Sequence, residues 1–482
     1  MNPLLGFAPD VDSATPGVLT DCANFIPYIN GMEGGPAAQT PNGVPALAAE
    51  CLGAAVVTKL DGTRRVVAGT TTKLYELSGG AWDDVAGATY NAAADFRWSF
   101  AQFGDATLAA NKADTIQRST SGAFADADAS APKADIIFTV GAQVMALNVN
   151  DGADKPDGWH VCALNDDTDW AESLTTQAAS GRLVSAPGRI TAGARLGELA
   201  VAYKAKSIFV GQYVGVPSIW DFSPVRAGEI GCVGKEAVCD LGPVHFFVGD
   251  DNFFLFDGQV PTPVGEEVRQ WFYDNSSAQY RYRTKCVFDR QNNRVWVFYP
   301  SLSSTTCDHA LVYHVKSGKW GRSNRAVEAV LNYVAAGLTF DTWDSAGATF
   351  DTLPDIAYDS QYWQAGGQAL AAINTSHQLQ LLTGATTASS FTTGEFGDDE
   401  ESSFVSKIRL RYEAGYEPTS GVIQLAYKED SGDSWSNGPT STMDGSKCDI
   451  TQDAKWHRAT ASFVGPVRVK GIRPEYQKAG TR

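Results

Sequence analysis

Between residues 244 and 258 two short apolar runs, 244–248 and 253–256, are separated by polar Gly249-Asp250-Asp251-Asn252 and closed by Asp257-Gly258. Two β-forming runs around a polar turn predict a β-hairpin. Neither run carries a formally charged side chain, so both faces are expected to be covered by neighbouring elements. A hairpin of this kind is not stable alone in water, and the rest of the chain supplies partners in the same idiom. By contrast, no i, i+3, i+4, i+7 apolar pattern extends beyond about three helical turns.

Strand–turn–strand units recur at 54–59 and 65–69, at 74–77 and 81–82, at 96–103 and 106–110, and at 136–140 and 143–148. They continue at 199–203 and 207–210, at 285–288 and 294–299, at 310–315 with Trp320, and at 370–374 and 378–382. An apolar strand followed by Ser/Asp-Gly and then Trp appears at 74–82 and 311–320, and in shortened form at 253–258. Recurrence at roughly 40–60 residues reads as a β-propeller, in which each blade buries its faces against the next. An array of β-sandwiches is the competing arrangement. In the propeller reading the 244–256 hairpin is the inner pair of one blade.

Residues 121–135 and 341–356 are poor in β-formers and read as excursions between blades. Near residue 391 the rhythm changes. Strand patterns at 407–412, 422–427, 459–463 and 467–472 predict a small β-sandwich. The expected organisation is an N-terminal arm of coil over 1–50, a β-propeller over 51–390 and a C-terminal β-sandwich module over 391–482, all-β throughout.

The 482 residues are 43% apolar and include 47 Gly and 11% aromatic side chains, a mixture that suits short strands and many turns. The net charge of −17 excludes ordinary duplex binding through a basic patch. The same field either keeps the protein soluble or lets DNA slide past without adhering. Eight cysteines lie scattered without a C-x-x-C, as expected of reduced core thiols. The first residues, MNPLLGFAPDVDSATPG, lack the basic and apolar regions of a signal peptide, and no apolar run reaches the length of a membrane span.

Six histidines are present. His245 lies inside a strand run and reads as a core residue; His309 and His314, five apart in one strand, fall on opposite faces and are poorly placed to share a metal. No nucleophile elbow, zincin helix or phosphate-binding loop occurs. Acidic runs at 166–169 and 397–401 offer calcium-type ligands, with solvated loops as the alternative. Residues 429–435 (EDSGDSW) resemble the Asp-box turn of sialidase-type propellers, a structural device with no catalytic part. No catalytic, cofactor-binding or metal-binding residue is assigned, and no enzyme activity is expected.

Several segments together resemble a known group of proteins. Residues 159–170 (WHVCALNDDTDW), 208–220 (IFVGQYVGVPSIW), 228–271 and 425–437 (LAYKEDSGDSWSN) match, in order, the pattern of tail nozzle or hub proteins of short-tailed bacteriophages, including packaged-DNA stabilisation proteins. Lys428-Glu429 stands where that pattern has Ser-Asp. The resemblance spans roughly residues 130–480. It implies a β-propeller subunit of a virion tail, assembled in the host cytoplasm into a six-fold ring between the portal and adaptor and the distal tail parts and fibres. DNA would leave through the ring without specific binding, and neither cofactor nor membrane insertion is implied. The alternatives are a glycan-binding or glycan-cleaving, tailspike-like propeller, or another head-to-tail connector.

Overall fold

A computed structural model of the chain describes residues 2–334, apart from 42 and 227, and residues 368–480. Of the expected excursions, 341–356 lies outside the described residues. The fold is all-β: a β-propeller joined to a two-sheet C-terminal module.

Six blades are separate four-stranded antiparallel sheets: blade one (54–84), blade two (99–126), blade three (133–182), blade four (190–224), blade five (238–263) and blade seven (329–334 and 368–384) with Ala37–Gln39. Blade six (285–323) belongs to a larger sheet. The first strands of successive blades touch in sequence, and the strand Ala329–Val334 touches Ala54–Thr58, so seven inner strands close a ring.

Apolar side chains fill the gaps between blades. Leu108, Ile137, Val144 and Trp170 lie between blades two and three; Met145, Leu147, Phe209 and Trp220 lie between three and four; Val66, Ala371 and Leu381 join blades seven and one. Each sheet therefore removes both faces from water only when its neighbours are present.

The predicted hairpin consists of His245–Val248 and Phe253–Phe256, paired from His245↔Phe256 to Val248↔Phe253. It is the middle pair of blade five, not the inner pair, because Val238–Asp240 intervenes on the axial side. That strand has only three residues and follows Gly and Lys, so it carries no periodic signal of its own. Residues 121–135 likewise contain structure: Ala125–Asp126 is the outer strand of blade two and Lys133–Val140 the inner strand of blade three.

The first fifty residues are not an arm of coil. Phe25–Tyr28 pairs with blade six at Arg322↔Phe25, then with Gly31–Gly34, which pairs with Arg468–Gly480. The blade-six sheet thus runs on through Ser402–Tyr412 to Lys447–Ala454 as one ten-stranded sheet. Val18–Ala23 joins the second, seven-stranded sheet through Ala388–Thr393, and Ala37–Gln39 completes blade seven. These N-terminal strands are two to six residues long and broken by Pro and Gly; apart from the short hairpin Phe25–Tyr28 with Gly31–Gly34, their sheet partners include residues hundreds of positions away, so little local periodicity marks them. The terminal module also holds Ser436–Thr442 and Lys447–Ala454 beyond the four strands expected.

Candidate functional site

All seven inner strands start at the same end of the propeller, and a charged residue stands at or just before most of those starts. Arg97 precedes blade two, Asp135 opens blade three, Lys235 and Glu236 precede blade five, Lys285 opens blade six and Glu328 precedes blade seven. The ring closure brings these residues together.

Glu236 is their centre. Its Oε2 lies 2.8 Å from Arg97 Nε and 2.8 Å from Lys285 Nζ. Arg97 Nη2 donates to the carbonyls of Cys51 (3.1 Å) and Glu328 (2.5 Å), which tie blades one and seven to blade two. The Glu328 carboxylate accepts from the Cys51 amide (2.9 Å) and contacts His377 Nδ1 (2.8 Å). Lys235 reaches Asp135 at 3.0 Å, and Asp135 accepts from Asn148 Nδ2 at 3.1 Å. Beside them Arg283 pairs with Asp95 at 2.7 Å.

Burial alone would raise the Glu236 pKa, but the Arg97 and Lys285 cations outweigh it and hold the carboxyl down at about 2. A carboxylate so tightly held is a poor general base near neutrality. The space left among Asp95, Arg97, Arg189 and Glu236 is small, about 30 Å³. The arrangement is a clamp that ties blades one, two, three, five, six and seven across the axis.

The histidines are held structurally. His245 Nε2 donates to the Arg195 carbonyl (2.7 Å), which leaves Nδ1 to accept from the Tyr203 hydroxyl (2.8 Å). His160 Nε2 donates to Trp170 O (2.9 Å), and His457 is buried between Gln452 and Ser403. Burial lowers the pKa of all three. His314 is engaged by Ser317 (2.9 Å), while His309 lies 3.2 Å from Asp308, so the two imidazoles have separate partners.

The eight cysteines are free thiols, and burial pushes Cys51, Cys162 and Cys232 up to about 12, away from reactive thiolates. In the acidic runs, Asp167 pairs with Arg118 (2.6 Å), Asp166 caps the Thr168 amide (2.9 Å), and Lys478 pairs with Glu401 (2.8 Å). Among the described residues no group of three His, Cys, Asp or Glu is placed to hold a metal, and no helix is long and apolar enough to cross a membrane.

The Asp-box-like turn joins Ser420–Lys428 to Ser436–Thr442 in the terminal module, away from the blades. Asp433 accepts from the Asp430 amide (3.1 Å). The Trp435 ring is covered by the Arg458 guanidinium at 4.6 Å and Lys428 Nζ at 4.9 Å.

Larger cavities among the described residues include one of about 360 Å³ beside Asn24, Ser389 and Phe463, and two more. One, of about 410 Å³, opens at the mouth of the terminal module beside Glu395, Phe396, Trp456 and Tyr476. There Phe396 packs against Tyr476 at 5.8 Å, and Glu395 is neutralised by Lys428 at 2.9 Å. The other, of about 440 Å³, lies between blades three and four on the face opposite the charged clamp.

The sequence assigned no site residues, and the axial clamp went unnoticed. Its signal was present: a charged side chain at or within two positions of the strand that opens each of five blades.

No protein family's sequence profile matches the chain, and no curated protein matches it. Similar solved structures include the computationally designed Ika8 protein (10% identity, TM-score 0.38), which covers 70% of this chain and 98% of its own. YCF48 from Cyanidioschyzon merolae (10% identity, TM-score 0.39) covers 72% of this chain and 98% of its own. YCF48 bound to a D1 peptide (10% identity, TM-score 0.39) covers 72% and 96%.

Proposed function

We propose that the chain is a structural subunit of a short-tailed bacteriophage virion: a tail nozzle or hub protein that assembles into a six-membered ring around the DNA exit channel. The ring connects the adaptor and portal to distal tail parts and fibres. The observation that carries this reading is the ten-stranded sheet that passes from blade six through the N-terminal strands into the terminal module. A propeller and a sandwich on one continuous sheet transmit load between two attachment surfaces without a hinge, as a connector must. The net charge of −17 on each copy supports it, since an acidic wall repels passing DNA. In this reading DNA runs between subunits, not along the clamped propeller axis.

Electron cryomicroscopy of the virion tests the proposal. The expected result is six copies at the tail below the adaptor. A chain absent from the particle, or present outside the tail, would refute it. The glycan-binding alternative gains nothing from the Asp-box-like turn, whose tryptophan is already capped by two cations.

A further inference from the structure

Because each blade is antiparallel and every inner strand starts at the clamp, the turns between first and second strands, and between third and fourth, all lie on the opposite face. On blades three to five these turns abut. The Tyr213 hydroxyl of blade four donates to Gln177 of blade three. A Cβ at Gly141 of blade three would lie 3.6 Å from the Glu198 carboxylate of blade four, and one at Gly258 of blade five 3.4 Å from Leu196 and Leu199.

This continuous surface is unusual in two independent respects. It exposes aliphatic side chains: Leu174 is 58%, Val216 54% and Val260 62% accessible. The same face holds the 440 Å³ cavity, whose walls include Val140, Leu164, Leu199, Tyr213 and Trp220, with exposed Glu198 beside them. The surface is also predominantly acidic: Arg195, beside the 197–198 turn, is an exposed cation on it, and Arg118 of blade two is taken up by Asp167. Turn residues 141–142, 162–178, 197–198, 215–219 and 257–260 contain no Lys or Arg. Asp169, Glu172, Glu198 and Asp257 lie on them, and none of the four has an ion-pair partner among the described residues, whereas the carboxylates of the opposite face are spent on Arg97, Lys235 and Lys285. Apolar side chains left in water around a cavity mark an interaction site, and an unneutralised acidic rim selects the charge of what binds.

We propose that the turn face of blades three to five is a docking surface for a basic segment of a partner protein, with an apolar side chain entering the cavity between blades three and four and lysines or arginines meeting the carboxylate rim. A second copy of this chain carries the wrong charge, as does nucleic acid. The inference rests on the surface itself and stands whether or not the chain forms a ring.

The probe is a short helical peptide with one leucine face and one lysine face, compared with a twin carrying glutamate for every lysine. Binding to the full chain is followed by fluorescence anisotropy at two salt concentrations and mapped by hydrogen exchange. The lysine peptide is expected to bind more weakly as salt rises, and to protect residues 164–176, 213–219 and 257–260. The Leu174→Ser/Val216→Ser double variant and the Glu198→Lys variant each lower affinity by at least about tenfold. Leu302→Ser, an exposed aliphatic on the opposite face, leaves it unchanged. Circular dichroism of each variant confirms that the fold is retained. Equal binding of the glutamate twin, protection elsewhere, or undiminished binding by the double variant would overturn the proposal. So would concentration-dependent self-association that the double variant abolishes, which would assign the surface to a second copy.

Discussion

Glu236 offers the sharpest test of the axial clamp. Glu236→Gln keeps the shape of the side chain and removes its charge, leaving the buried Arg97 and Lys285 without their shared counter-ion. In the folded protein the carboxyl titrates near 2, against 4.5 for an ordinary glutamate. At about 1.4 kcal/mol per pKa unit, that difference corresponds to about 3 kcal/mol of stabilisation from ionised Glu236. The side chain is 25% exposed, so solvent screening brings the expected loss toward the lower end of the roughly 3–5 kcal/mol found on breaking buried pairs. The sign follows from the depressed pKa. The stabilisation is complete above about pH 5 and is lost as pH falls from 4.5 toward 2, because the unfolded state takes up the proton first. Urea unfolding followed by tryptophan fluorescence, together with hydrogen exchange of the inner-strand amides, measures the loss. The wild type should exceed Glu236→Gln by about 3 kcal/mol at pH 7, with the gap narrowing below pH 4.5. A gap under about 0.5 kcal/mol at pH 7, or one unchanged between pH 7 and pH 3, would refute the clamp as a source of stability.

Three further predictions concern the core and the junction. His160, His245 and His457 are buried with lowered pKa, so the unfolded state binds protons that the native state refuses below about pH 6.5; stability should fall with acidification by up to about 1.4 kcal/mol per pH unit for each, and His245→Gln should reduce the measured slope. Phe254 is 4% exposed and stacks on Phe247 at 5.3 Å; Phe254→Ala should cost about 3–5 kcal/mol and Phe254→Asp should abolish folding, whereas soluble, assembling Phe254→Asp protein would contradict the blade assignment. Glu33 binds Arg294 of blade six and lies 2.6 Å from Arg468 of the terminal module, so Glu33→Ala should loosen the junction and speed proteolytic release of residues 388–480, a change seen by timed gel analysis; unchanged cleavage would remove this ion pair from the account of the junction.

The fold was legible where strand partners are sequence neighbours. The pair Lys285–Asp289 and Arg294–Tyr299 shows both apolar runs and the turn between them within fifteen residues. Ala37–Gln39, the outer strand of blade seven, pairs with Leu381 and Gly384 across the whole propeller, and a three-residue alanine-rich strand shows no alternation by itself. The expectation of N-terminal coil failed for that reason: these strands are stabilised by distant pairing, not by propensity. The site was less legible than the fold. Glu236 looks like any surface glutamate until ring closure sets it between two cations from other blades.

The two ends of the propeller solve opposite problems with the same residue types. At the clamp, carboxylates and cations sit beside the starts of the inner strands, where closure forces them within about 3 Å, so burial is tolerable only if each charge is matched. On the turn face, apart from Asp167, which is buried against Arg118, the loops point carboxylates such as Glu198 and Asp257 into water, where they need no match for stability. Residues such as Glu198 and Val216 are therefore under no folding constraint to be acidic or aliphatic; serine at either position would leave the blades intact. A largely acidic surface beside exposed aliphatics, at positions the fold does not constrain, is chemistry directed outward. That is why the partner's nature can be read from blades three to five, while the clamp accounts only for how the ring stays closed.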